Sequence, residues 1–219
     1  MEKFFDLFYN PLMRRFCLIL TLIILSANCT FALPFNLKKE ENKFVQSDQY
    51  KTVTEQANVY YAQNDIKNAF NILLTIPDEE RSAQNWLLLG NILQDQGKID
   101  EAVFMYNKAI EVDSKYYKAY YNLGNVYLND GRPNMAIEQY KKVIDLNPEY
   151  AYAHYNLACA YIKLGKYSKA KYELYTAIDL KNTVPEFHYN LAYVFKQLKK
   201  EKDAKTYLEY YNKLIQDQI

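Results

Sequence analysis

From about residue 50 onward, apolar side chains recur at steps of three and four, the spacing that lines one face of an α-helix. The helices so predicted come in pairs, and the pairs repeat. Trp86, Tyr120, His154 and His188 stand 34 residues apart, as do Leu89, Leu123, Leu157 and Leu191, and Ala102, Ala136, Ala170 and Ala204. The small residues Gly90, Gly124, Ala158 and Ala192 keep the same step. A fixed period of this length predicts a solenoid of helix–turn–helix units, each burying its apolar face against the next. Full units run over 83–116, 117–150, 151–184 and 185–218. A degenerate first unit over about 50–82 keeps Val53, Ala57, Tyr60, Asn64, Ala69 and Leu73. It is one residue short, and Pro77 closes its second helix early.

All five glycines fall at two positions of the unit. Gly90 and Gly124 sit where a side chain would hold the paired helices apart. Gly97, Gly131 and Gly165 sit at the turn between helices, where a positive φ costs glycine nothing. Pro133 stands at the start of a second helix, where its missing N–H is harmless. Pro148 and Pro185 mark breaks between units.

The order Trp86, Leu89-Gly90, Leu93, Gly97, Ala102, Tyr106, Ala109, repeated as Tyr120, Leu123-Gly124, Tyr127, Gly131, Ala136, Tyr140, Val143, Pro148, resembles the tetratricopeptide repeat family. The resemblance implies an all-α, right-handed solenoid of about five units over residues 50–219. It also implies that the first helices of successive units line a concave surface. There Asn122, Asn156 and Asn190 would form a ladder at the sixth position, with Asn91 and Asn125 at the ninth. Tyr121, Tyr155 and Tyr189 would form a second row at the fifth. An amide carries donor and acceptor together, so spaced Asn side chains suit the backbone of an extended peptide. Tyr adds rigid apolar area with a polar tip. The competing reading has the Asn side chains satisfying neighbouring backbone and the Tyr rings filling grooves between units. The family's carboxylate clamp, which adds Lys and Arg to two Asn, is not matched: its basic positions hold Leu87, Tyr152 and Asn156, or Tyr121, Glu186 and Asn190. A chaperone C-terminus is therefore a poor ligand.

Half of the residues are hydrophobic and 16% are aromatic, so the chain can bury a core and does not read as disordered. Residues 33–219 carry 24 basic and 24 acidic side chains. A neutral body argues against nucleic acid, which needs a basic stripe to displace counterions. The cluster Lys196, Lys199, Lys200, Lys202 reads as a solvated helix edge and turn, with contact to lipid head groups as the rarer alternative. Cys17, Cys29 and Cys159 form no disulfide framework. His154 and His188 occupy the packing position of Trp86 and Tyr120, one unit apart, and imply no shared metal site. No phosphate loop, nucleophile elbow or paired carboxylates are present. The expectation is a chain with no catalysis and no cofactor.

Residues 1–32 read as a signal peptide or membrane anchor: Arg14-Arg15, an apolar run from Phe16 to Leu25, then small residues. Three endings compete. Cleavage after Thr30-Phe31-Ala32 suits an ordinary signal peptidase. Ser26-Ala27-Asn28-Cys29 resembles a bacterial lipobox, with Cys29 as the lipidation candidate and Asn28 as the departure from its pattern. The third is retention of Phe16 to Leu33 as a short membrane anchor. Each puts the array outside the cytoplasm, in the periplasm or on the cell envelope. Residues 33–49 read as a polar linker.

The fifth second helix, with Tyr207, Leu208, Tyr211, Leu214 and Ile215, has no capping helix after it in the sequence. An uncovered apolar stripe there predicts a homo-oligomer or partner interface. The function expected from these features is a non-enzymatic envelope scaffold that binds a protein segment and assists complex assembly. The alternatives are a structural spacer or oligomerising element, or a subunit of a larger envelope enzyme complex.

Overall fold

The computed structural model describes residues 50–217, and the regular structure among them is helical throughout. The signal or anchor over 1–32, its candidate lipidation site Cys29 and the linker over 33–49 lie outside the described residues. Five helix pairs follow one another: α1 (Lys51–Ala62) with α2 (Ile66–Leu74), α3 (Ala83–Asp95) with α4 (Ile99–Val112), and α5 (Tyr117–Asn129) with α6 (Pro133–Leu146). Then come α7 (Ala151–Lys163) with α8 (Tyr167–Leu180), and α9 (Pro185–Gln197) with α10 (Glu201–Gln216). Among the described residues no helix is long and apolar enough to cross a membrane.

Local chemistry sets the ends of these helices. Ser82 and Asn85 form a reciprocal capping box at the start of α3, and the Asp65 side chain accepts from the Asn68 backbone at the start of α2. Pro133 and Pro185 open α6 and α9, where no N–H is needed. The α2 helix spans only nine residues, and Pro77 leads into a 3₁₀ turn over Asp78–Glu80. Each turn within a pair passes through one left-handed residue: Gly97 (φ 76°), Gly131 (71°) and Gly165 (67°), but Asn64 (60°) in the first unit and Lys199 (58°) in the last.

Each first helix packs on its partner, and each of the first four second helices packs also on the first helix of the next pair. Ala69, Ala102, Ala136 and Ala170, at one position of the second helix, are fully buried where helices cross. Tyr106 and Tyr140 are also fully buried. First helices of neighbouring units touch at α1–α3, α5–α7 and α7–α9, whereas no two second helices approach so closely. The described array therefore curves with its first helices inside, a right-handed solenoid of five units.

The fourth position of the unit has a constant task. Tyr120 Oη donates to the Ser114 carbonyl at 3.2 Å, His154 Nε2 to Pro148 at 3.0 Å, and His188 Nε2 to Asn182 at 2.9 Å. Each acceptor lies six residues upstream, in the loop that joins two units. Imidazole replaces phenol here because both are flat, largely apolar and able to donate to that carbonyl. Trp86 differs: its ring carries the Arg81 guanidinium 4.8 Å from the centroid.

Candidate interaction face on the first helices

The two Asn rows meet across the junctions between units. Asn122 Nδ2 donates to Asn91 Oδ1 at 2.7 Å, and Asn156 Nδ2 donates to Asn125 Oδ1 at 2.8 Å. The same two oxygens lie within hydrogen-bond reach of the buried phenols, Tyr106 at 3.0 Å and Tyr140 at 2.8 Å. Asn156 also donates to Tyr121 Oη at 3.1 Å, and Asn190 to Tyr155 Oη at 3.0 Å. At the ninth position of the fourth unit Cys159 stands in for Asn, and its Sγ lies 3.4 Å from Asn190 Nδ2. Burial pushes the Cys159 thiol up, the opposite of what a reactive thiolate needs.

This network uses half of each amide pair. Asn91 and Asn125 spend their oxygens, while Asn122, Asn156 and Asn190 spend their nitrogens. Nδ2 of Asn91 and Asn125, and Oδ1 of Asn122, Asn156 and Asn190, have no hydrogen-bond partner within 3.5 Å among the described residues, although Asn125 stands near enough to the Tyr121 hydroxyl to favour its charged form. None of the five is cut off from solvent, since the buried side-chain nitrogens and oxygens without partners there are Arg81 Nε and His188 Nδ1. Each bonded pair thus behaves as one larger amide with a free donor on one unit and a free acceptor on the next.

The Tyr row is not uniform. Tyr121 is half-buried, edge-on to Tyr150 at 5.1 Å and tilted against Tyr140 at 6.1 Å. Tyr155 is half-buried and stacked on Phe187 at 4.7 Å. Tyr189 is 51% exposed and lies 5.3 Å from Tyr211. Sequence reasoning missed Tyr150 and Phe187, which join Tyr117, Tyr121, Tyr152 and Tyr155 into a continuous aromatic ribbon. Phe187 has no aromatic counterpart in the other units: Asn85, Ala119 and Ala153 hold its position. Burial, with Tyr121 and Tyr117 beside it, pushes the Tyr150 hydroxyl up to about 12. Burial raises Tyr121 and Tyr155 as well, so these phenols stay neutral at physiological pH.

On α10 no residue is fully buried. Tyr207 nevertheless points inward, stacked on Phe195 at 5.6 Å and on His188 at 6.1 Å. Tyr211, Leu214 and Ile215 are half-buried, while Leu208 and Tyr210, the latter not singled out from the sequence, are the exposed apolar residues. Among the described residues, no group of three or more His, Cys, Asp and Glu could hold a metal ion.

Family models described as tetratricopeptide repeat match residues 117–150, 139–172 and 185–216, and one described as TPR repeat matches 90–131. A comparison with curated protein sequences finds no match. Solved structures similar to the chain include a crystal structure of MamA, 20% identical, covering 74% of this chain and 95% of that one with a TM-score of 0.67. Another is MamA from position 41 to its end, from Desulfovibrio magneticus RS-1, 20% identical, covering 79% and 97% with a TM-score of 0.68. Likeness at that identity shows a shared fold. The repeated helix pairs, their left-handed turn residues and four matching repeat models lead to one conclusion: the chain belongs to the tetratricopeptide repeat family and is built as a protein-interaction scaffold.

Proposed function

We propose that the chain is a non-enzymatic scaffold of the cell envelope that holds an extended protein segment along its first helices and assists assembly of a complex. The observation that carries this reading is the row of half-used amide pairs. A peptide backbone presents N–H and C=O in alternation, and the pairs offer acceptor and donor in alternation along one face. The aromatic ribbon beside them supplies apolar area for side chains. Export, by cleavage before Leu33, by lipidation at Cys29 or by a retained anchor, belongs to the same proposal. The mass of the mature N-terminus distinguishes the three.

The test exploits the fact that Asp keeps the carbonyl-type acceptor of Asn and loses its donor. Asn91→Asp with Asn125→Asp preserves acceptors for Asn122 and Asn156 while removing the outward N–H groups. Photo-crosslinking from position 189 in living cells should capture a defined partner with the native chain and lose it in this variant, with the melting temperature little changed. Capture that survives the double substitution sinks the reading and favours a spacer, for which the amides serve only to tie unit to unit.

A further inference from the structure

The outward side of the last unit is half closed by its own residues. Between α7 and α9, Phe187 of the following unit stacks on Tyr155. At the equivalent place one unit later, Tyr189 is met by Tyr211 of its own α10, at the position where α8 has the fully buried Ala177. Glu209 and Asn212 likewise replace Tyr175 and Ile178. A further first helix would have to displace Tyr211 and bury Glu209 and Asn212, so this half of the surface suits solvent.

The other half stays open. Beyond Tyr189 a groove of about 390 Å³ runs between α9 and α10, with Ala192, Tyr193, Ala204 and Leu208 lining it and Lys196, Lys205 and the carboxylate of Glu201 beside them. Its counterparts in the fourth unit, Ala158, Ala170 and Leu174, are fully buried. The groove also continues the inner face: Tyr189 extends the row of Tyr121 and Tyr155, and Tyr193 extends the row of Asn91, Asn125 and Cys159. Its surroundings are cationic. Residues 196–205 carry five lysines, Lys196, Lys199, Lys200, Lys202 and Lys205, against two acids, Glu201 and Asp203, a local excess of positive charge. Among the described residues only Lys205 of these five forms an ion pair, with Glu209 at 4.0 Å.

We infer that this groove is the terminal anchor point for the bound protein segment, taking an apolar side chain of the segment that is flanked by acidic residues. The inference rests on the inner-face reading proposed above and adds to it a direction and a chemistry: the acidic, apolar part of the segment lies at the fifth unit. Apolar lining supplies the affinity through burial, and the local excess of lysine, with Lys196 unpaired at the groove, selects charge and speeds encounter. A lipid surface offers the same charge but no side chain to enter the groove.

The experiment titrates the full chain into a fluorescein-labelled peptide, Asp-Glu-Asp-Leu-Phe-Asp-Glu, followed by anisotropy. Saturable binding that weakens with salt is expected. It should fall about tenfold or more in Leu208→Ser and in Lys196→Glu with Lys205→Glu, and equally when Ser replaces Leu-Phe in the peptide. All three changed residues are exposed, and unchanged circular dichroism verifies that each variant folds. No saturable binding overturns the inference, as does equal binding by the variants or by a peptide with Lys in place of its acids. Capture of phosphatidylserine vesicles through the same lysines, without peptide binding, reassigns the surface to lipid. A doubled mass in sedimentation that Leu208→Ser abolishes reassigns it to a second copy. Partner capture from position 189 that is lost in Asn91→Asp with Asn125→Asp, beside no saturable binding of this peptide, overturns the inference and leaves the inner-face reading standing, so the two failures are separately visible.

Discussion

The ring of Tyr140 occupies the space that a side chain at position 124 would need: a Cβ built on Gly124 would meet Cε1 of Tyr140 at 2.5 Å. Gly90 and Tyr106 stand in the same relation. Where the first helix carries Ala instead, at 57, 158 and 192, the partner position carries Leu, at 73, 174 and 208. The two positions vary as a unit because the interior has room for one large ring or one methyl plus a smaller side chain, not for both extras.

That relation gives a double-mutant cycle. Gly124→Ala should destabilise by about 1–3 kcal/mol despite its better helix propensity, because the ring is fully buried and has nowhere to move. Tyr140→Leu alone should also destabilise, through the lost ring volume and the lost bond to Asn125. The double variant should recover part of the loss, giving a coupling energy of about 1 kcal/mol or more in urea unfolding. Strict additivity would contradict the account.

Lys199 pays for a left-handed turn that glycine makes freely in three other units. A left-handed L-residue costs about 1–2 kcal/mol, and the extra unfolded-state freedom of glycine takes back part of the gain. Lys199→Gly is therefore expected to raise stability by about 0.5–1 kcal/mol in thermal or urea melts. The same change at Asn64, a residue that tolerates this conformation, should yield less.

His154 is buried with acceptors at both ring nitrogens: Glu173 Oε2 2.8 Å from Nδ1 and the Pro148 carbonyl 3.0 Å from Nε2. Burial alone would lower its pKa, but the hydrogen bonds it donates to Glu173 and to the Pro148 carbonyl, with the Glu173 charge, together raise it. A raised native pKa stabilises fully below the unfolded value of about 6.5 and is lost as pH climbs through the native value. Stability should thus decline from mildly acidic to mildly alkaline pH. In Glu173→Gln the raising partner is gone, burial dominates, and the slope should flatten or change sign. At His188 the corresponding nitrogen, Nδ1, has no partner among the described residues.

Asn156 ties its unit to the preceding one at two points of the inner face, donating to both Asn125 and Tyr121. Asn156→Ala strips two part-buried acceptors and should cost about 1–3 kcal/mol. Hydrogen exchange should rise first at the junction between α5–α6 and α7–α8, since a solenoid couples only neighbouring units. Unchanged exchange at that junction would show that the amide contributes little to holding the units together.

The sequence by itself determined the solenoid, because a 34-residue period with small residues at crossings leaves only one way to bury the apolar stripes. It fixed the role of every glycine for the same reason: a missing side chain is legible wherever its neighbours repeat. It also placed both histidines at a packing position, although not their shared bond to the upstream loop. Only the tertiary structure decided which half of each Asn is spent, since the Asn122–Asn91 and Asn156–Asn125 bonds join residues 31 apart across a junction. It likewise turned Tyr207 inward, brought Tyr211 onto Tyr189, and left Leu208 facing a groove. Periodicity reports which side of a helix is apolar. What that side meets depends on the unit packed against it, which only the folded chain brings into place.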